Sequence, residues 1–386
     1  MRSQTPRTPP KPRRRPWLIA LPLAVFVLLA LVWTAFWFFA AHRADVEIAR
    51  WREREAQAGR IFACTEQNVG GYPFRIEVHC TDPAVELRRW QPPLALAGKD
   101  SRFTVQVYDP TLVIGTFTGP LTIAEAGHPA HMVADWKLAQ TSLRGRAAAP
   151  ERLSIVMDDA QLAQNNSGPV TSVAAAEHIE LHGRLVSGSL NDNPVIELGL
   201  RLTKGTAPPV RVLAQPTDGV MSATVHGLKN LSSKPWQEHL REMGLNQGRI
   251  EIQEARFTQG EIIATGAGAL NLKPSGRLDG QIRLTVAGLE KLISLLEIDQ
   301  AVAQYLAQRT GGMNVDKLAS GLDRLMPGLG GAIRGQSGAS LAAAGINMLG
   351  EQTQLDGRRA VTLPLRFAEG TVFLGPIAVG QMPPLF

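Results

Sequence analysis

Residues 260–286 read GEIIATGAGALNLKPSGRLDGQIRLTV. Leu270–Leu272 and Leu278–Val286 alternate apolar with polar side chains, the period of a β-strand, and Lys-Pro-Ser-Gly between them supplies a turn. Ile262–Leu272 is small and apolar on both faces, with Gly266-Ala267-Gly268 at its centre. Working outward, the same alternation recurs at Arg75–His79, Arg102–Tyr108, Leu153–Met157, Glu177–Leu181, Val195–Leu202 and Ile250–Ile252, and strands return at 361–367 and 371–374. The intervening segments are short and rich in Gly, Pro, Asn and Asp. This spacing predicts an antiparallel meander rather than βαβ units, hence a mainly β body of the α+β class.

Helices interrupt the sheet. Ser233 is placed to cap a helix over 234–244, with Pro235 and Trp236 in its first turn. Residues 288–309 put Leu289, Leu292, Ile293, Leu296 and Leu306 on one helical stripe, and 313–326 and 337–349 are shorter helical candidates. MDDAQLAQ at 157–164 resembles IQEARFTQ at 252–259, and each is followed by small residues and a Gly-Arg-Leu, at 183–185 and 276–278. Duplication of a β unit, over about 61–230 and 231–386, is one reading of this weak repeat; chance is the other.

The N-terminal region sets location. Trp17–Ala41 is 25 residues without a charge. As a helix it reaches about 37 Å, enough to cross a hydrocarbon core of about 30 Å. Trp17 and the cluster Trp33, Phe36, Trp37, Phe38 and Phe39 bracket it as interfacial anchors. Residues 1–16 form a Pro- and Arg-rich tail, expected to be disordered, with six basic side chains and no acid. Basic flanks stay inside, so everything from His42 onward is expected outside the cytoplasm. The run exceeds the usual apolar length of a cleaved signal, and Phe39 occupies a position where cleavage wants a small residue. Residues 42–60 carry mixed charges around Val46, Ile48 and Trp51 and predict a helical stalk ended by Gly59.

The net charge of +6 lies in the tail: without it, 34 basic and 34 acidic side chains remain. A neutral body lacks the footprint of a nucleic-acid binder. Two cysteines, Cys64 and Cys80, exclude a four-cysteine zinc site and a disulfide-dense miniprotein. In an oxidising space they are expected to pair, closing a loop worth about 3 kcal/mol in the chain-entropy account. Free thiols and a redox pair are the rivals, and no Cys-x-x-Cys is present. Gly70-Gly71-Tyr72-Pro73-Phe74 inside that loop reads as a shaped turn presenting Tyr72 and Phe74 to the core, or else as an aromatic lip for lipid or a partner.

Signals for chemistry are sparse. His178, Glu180 and His182 share one face of a strand and are plausible metal ligand types, but strand alternation puts them on the solvent side. His128 and His131 flank Pro129 in a loop. Asp158-Asp159 point to opposite faces, wrong for a glycosidase pair. There is no Gly-x-Ser-x-Gly, His-Glu-x-x-His or phosphate loop. No catalytic, metal or cofactor residues are therefore expected, and no cofactor.

GGYPFRIEVHC (70–80), the strand-turn-strand at 260–286 and the C-terminal LPLRFAEGTVFLGPIAVGQMPPLF resemble a bacterial family of unknown function, the domain of unknown function 2125. The resemblance extends from about 60 to 386 and implies an inner-membrane protein with a periplasmic β-rich body and no assigned activity. The strand texture is also loosely similar to AsmA-type envelope proteins. The expected function is a non-enzymatic, membrane-anchored envelope protein whose sheet surface or groove contacts lipid. Ile262, Leu270, Ile282 and Leu284 are its lipid-facing candidates. A scaffold binding only protein partners, and an anchored hydrolase, are the rivals.

Overall fold

A computed structural model describes residues 17–146, 149–165, 170–232, 234–296 and 350–386. The first element is α1 (Trp17–Gln57), one helix of 41 residues in which span and stalk are continuous. It ends where expected: Gly59 takes a φ of +82°, and a Cβ there would lie 2.8 Å from the Arg89 side chain.

Beyond α1 lies one open antiparallel sheet. Its first strands are β1 (Arg60–Ala63), β2 (Glu66–Gly70), β3 (Arg75–Thr81), β4 (Ala84–Leu87), β5 (Leu94–Ala97), β6 (Asp100–Gln106) and β7 (Asp109–Thr118). Then come β8 (Leu121–Glu125), β9 (Met132–Asp135), β10 (Leu138–Arg146), β11 (Ala149–Gln164), β12 (Thr171–Ser189), β13 (Asp192–Gly205) and β14 (Thr217–His226). After helix α2 (Trp236–Leu245) follow β15 (Arg249–Gln259), β16 (Ile262–Leu272) and β17 (Leu278–Ala287). Helix α3 (Leu289–Leu296) precedes β18 (Glu351–Leu355), β19 (Arg358–Ala368), β20 (Thr371–Leu374) and β21 (Ile377–Gln381).

The first ten strands are five excursions, each broken once by two residues: Cys64-Thr65, Asp82-Pro83, Gly98-Lys99, Gly119-Pro120 and Trp136-Lys137. Pro83 and Pro120 lack the N–H that a ladder needs, and Asp82 turns at φ +47°. One arm pairs in the order β2–β3–β6–β7–β10. The other pairs β1–β4–β5–β8–β9. Both arms end on β11, which faces β10 along one stretch and β9 along the next. From β11 to β17 each strand pairs with its sequence neighbour, and β17 then pairs with β19.

Two sequence expectations are corrected in detail. The middle strands are long: β12 has 19 residues, a reach of about 60 Å. Helix α2 starts at Trp236 with Pro235 at its cap and no side-chain cap bond, while Ser233 lies outside the described residues. Of the helix expected over 288–309, only α3 falls within the described residues; its remainder and the candidates at 313–326 and 337–349 lie outside them. The repeat segments occupy β11 and β15, but Gly183-Arg184-Leu185 lies within β12 and Gly276-Arg277-Leu278 at the turn into β17. β14 pairs directly with β15, so the sheet runs unbroken past residue 230.

Buried side chains concentrate at one end. Val286, Leu289, Ile293, Val361, Leu363, Leu374 and Ile377 form a cluster in which α3 lays its apolar stripe on β17, β19, β20 and β21. The stripe is the one predicted at Leu289, Leu292 and Ile293.

Candidate functional site: an apolar sheet face and the turn docked on α1

Residues opposite one another on paired strands share a face. One row crosses the sheet as Cys80, Ser101, Phe117, Ala139, Met157, Ile179, Leu202, Gly219, Phe257, Ala264, Val286 and Val361. Two residues along, the next row includes Val78, Phe103, Ile155, Leu181, Leu200, Met221, Leu284 and Leu363. A third includes Ile76, Val105, Leu143, Leu153, Leu198, Ala223, Ile252, Ile282 and Leu365. Side chains between these rows are mostly polar: the row through Val156 continues as Glu180, Arg201, Val220, Arg256, Thr265, Thr285 and Thr362. The sheet is thus apolar on one face and polar on the other over more than ten strands.

Among the described residues, only part of the apolar face is covered. Helix α1 packs on β1 and β2, and α2 and α3 approach β16. Across the middle most large side chains of the apolar rows are half-exposed, with Phe103 at 36%, Leu181 at 40% and Leu153 at 43%, while the small Ala139 and Ala223 are buried. Ile262, Leu270, Ile282 and Leu284 all lie on this face. Ile262 and Leu270 are buried, whereas Ile282 and Leu284 are half-buried and Leu284 adjoins the α3 cluster. Past the row of Met157, Ile179 and Leu202, charge returns: Asp159, Glu177 and Lys204 line a shallow cleft of about 330 Å³, with Lys204 2.5 Å from Glu177.

The other feature joins sheet to helix. Cys64 and Cys80 form a disulfide with Cα atoms 5.5 Å apart, tying the β1–β2 break to β3. Nearby, the Trp51 ring of α1 meets that of Phe62 at a tilt, with centroids 4.6 Å apart, and Arg52 reaches the Cys64 sulfur. Further up α1, Trp33 Nε1 donates to the Pro73 carbonyl at 2.8 Å and Trp37 Nε1 to the Arg75 carbonyl at 2.9 Å. Thr34 and Tyr72 hydroxyls lie 2.8 Å apart, and Trp37 meets the Tyr72 ring edge-on at 5.5 Å. Gly71 adopts a φ of +99° where a Cβ would clash with the Arg75 carbonyl, so this tight turn requires glycine. The expectation that the turn presents Tyr72 and Phe74 to the core is therefore wrong: they are 52% and 62% exposed beside α1. The physical reason is that two indole N–H groups on α1 need acceptors, and the turn's carbonyls supply them.

The histidine group lies on the polar face. His178 Nδ1 is 2.5 Å from Asp158 and its Nε2 is 2.9 Å from Glu180; His182 contacts Ser154 at 2.9 Å and Glu180 at 3.3 Å. Hydrogen bonds to Glu180 and Asp158 raise the His178 pKa, and the same imidazoles lower that of Glu180. Ser154, His182 and Glu180 thus lie in contact, but on an open strand surface rather than in a cleft, where the ladder occupies the backbone N–H groups an oxyanion would need. Among the described residues, no group of three or more His, Cys, Asp or Glu is placed to hold a metal ion.

Sequence reasoning found the cysteines, the alternating strands and the polar placement of His178. It missed the docking of residues 72–75 on residues 33–37, a contact across about 40 residues of chain. A comparison with curated proteins finds no match. A family model does match: it spans residues 37–383 and so begins within α1 at Trp37, one of the two tryptophans that hold the turn, and this chain belongs to that family, described as uncharacterized protein conserved in bacteria (DUF2125).

Proposed function

We propose that this protein is a non-enzymatic, inner-membrane-anchored envelope protein, with its body in the periplasm, whose apolar sheet face contacts lipid acyl chains. The observation that carries the reading is the continuous one-sided apolar face, half-exposed across the middle of the sheet and beginning on strands fastened to α1. A contiguous exposed apolar surface of this extent on a chain with a helix able to span a membrane calls for an apolar partner. Retention of α1 as an anchor is supported by the body's own contacts with Trp33, Trp37 and Trp51, which cleavage after Ala41 would partly remove. Basic residues before α1 favour a cytoplasmic N-terminus.

The test uses neighbouring residues on opposite faces of β17. The full-length protein is purified in mild detergent and its co-purifying lipid measured by mass spectrometry. Ile282→Lys places a charge on the apolar face and is expected to lower the lipid load several-fold, while Gln281→Lys leaves it unchanged. Circular dichroism and melting temperature check that both variants fold. Equal lipid loads in two folded variants would move the reading to a scaffold that binds protein partners.

A further inference from the structure

We propose that the Gly71–Phe74 turn, with the adjoining Val107-Tyr108 turn, is embedded in the outer-leaflet interface of the bilayer that α1 crosses, so that the sheet itself enters the membrane surface. The inference rests on α1 being a retained span. The indole bonds hold the turn level with Trp33–Trp37. Those residues precede Ala41, the end of the charge-free run, by four to eight positions. At 1.5 Å per residue, the turn therefore lies about 6–12 Å to the membrane side of that end.

The turn's composition and bonding fit that depth. Val107 N–H donates to the Phe74 carbonyl at 3.0 Å, which brings the two turns together. They expose Tyr72 at 52%, Phe74 at 62% and Tyr108 at 69%, aromatic side chains suited to the headgroup boundary. The Pro73 and Arg75 carbonyls, costly to leave unpaired in an apolar medium, are met by the indoles of α1. Just beyond the turn, Arg75 remains exposed beside Glu77 at 3.3 Å, within reach of headgroup phosphates. In water the same turn would be an exposed aromatic cluster beside a helix whose other side chains are buried in lipid.

Depth-dependent quenching tests this. Since both native cysteines are disulfide-bonded, a cysteine introduced as Phe74→Cys is the sole thiol available for an environment-sensitive fluorophore. The full chain is reconstituted in phosphatidylcholine–phosphatidylglycerol nanodiscs. Phe26→Cys in mid-helix and Val186→Cys on the sheet are references, and Tyr108→Cys probes the second turn. The label at position 74 is expected to be quenched by lipid carrying a nitroxide near the headgroup, and by aqueous iodide several-fold less than the label at 186. Tyr108→Cys is expected to follow it, which guards against local disruption by the first label. Iodide quenching at 74 and 108 equal to that at 186, while position 26 still responds to a deep nitroxide, would overturn the insertion alone. A label at 26 that is silent to lipid nitroxides would overturn the span and the insertion together.

Discussion

One cross-strand row passes through two different surroundings. At Val286 and Val361 it lies beneath α3, and those side chains are 3% and 1% exposed. At Met157 and Ile179, on the same face and the same pleat, it is half-exposed. Strand period decides which face is apolar; a second layer decides whether that face is buried. The covered end is held by its own packing, and the open middle has its apolar face available to something else.

The largest effect should separate the two ends directly. Ile293→Ala removes a fully buried side chain from the α3 cluster and is expected to cost about 2–5 kcal/mol in denaturant unfolding. Ile179→Ala, in the open part of the row, is expected to cost about 1 kcal/mol in lipid-free protein. Equal costs would erase the distinction between covered and open regions.

The disulfide sharpens the comparison at the helix-docked end, where, among the described residues, no large buried cluster stands behind β1–β3. Cys80→Ser is expected to cost about 2–3 kcal/mol, and both thiols should resist alkylation until reduced. Ready alkylation of the native protein would contradict the pairing.

The smallest effect belongs to the polar face. The raised pKa of His178 contributes stability that is fully present below its ordinary value of 6.5 and is lost as pH rises through the folded value. The lowered pKa of Glu180 contributes stability above its ordinary 4.5 that is lost as pH falls through the folded value. Both contributions are complete between pH 4.5 and 6.5. Because the group is partly exposed, the loss on raising the pH should be a few tenths of a kcal/mol, about the size of surface pairs. His178→Gln should flatten the stability profile between neutral and weakly acidic pH, and an unchanged slope would remove the pair from the account.

How much of this was legible in the sequence follows from range. β3, β17 and β19 announce themselves because Ile76 and Val78, or Ile282 and Leu284, alternate with charged or amide side chains. β14 escaped notice because Val220 interrupts the alternation of Met221 and Val225 with Ser222 and Thr224. The full length of β12 was hidden by Ala174-Ala175-Ala176, which carry no period. The cysteine pair was found by counting and by compartment. The docking of Trp33 and Trp37 on a distant turn leaves no periodic trace, since neither indole nor carbonyl signals its partner locally. Openness of the middle sheet was equally hidden, because a strand facing a core and one facing a ligand share one pattern.

The claim that the open apolar face contacts lipid is tested most directly by photocrosslinking in native membranes. A benzophenone side chain is placed at Leu181 on the apolar face, and separately at Arg201 on the polar face of the neighbouring strand. The account predicts a lipid-mass adduct at position 181 and none at 201. Adducts of equal yield at both positions, or protein adducts alone at 181, would contradict it.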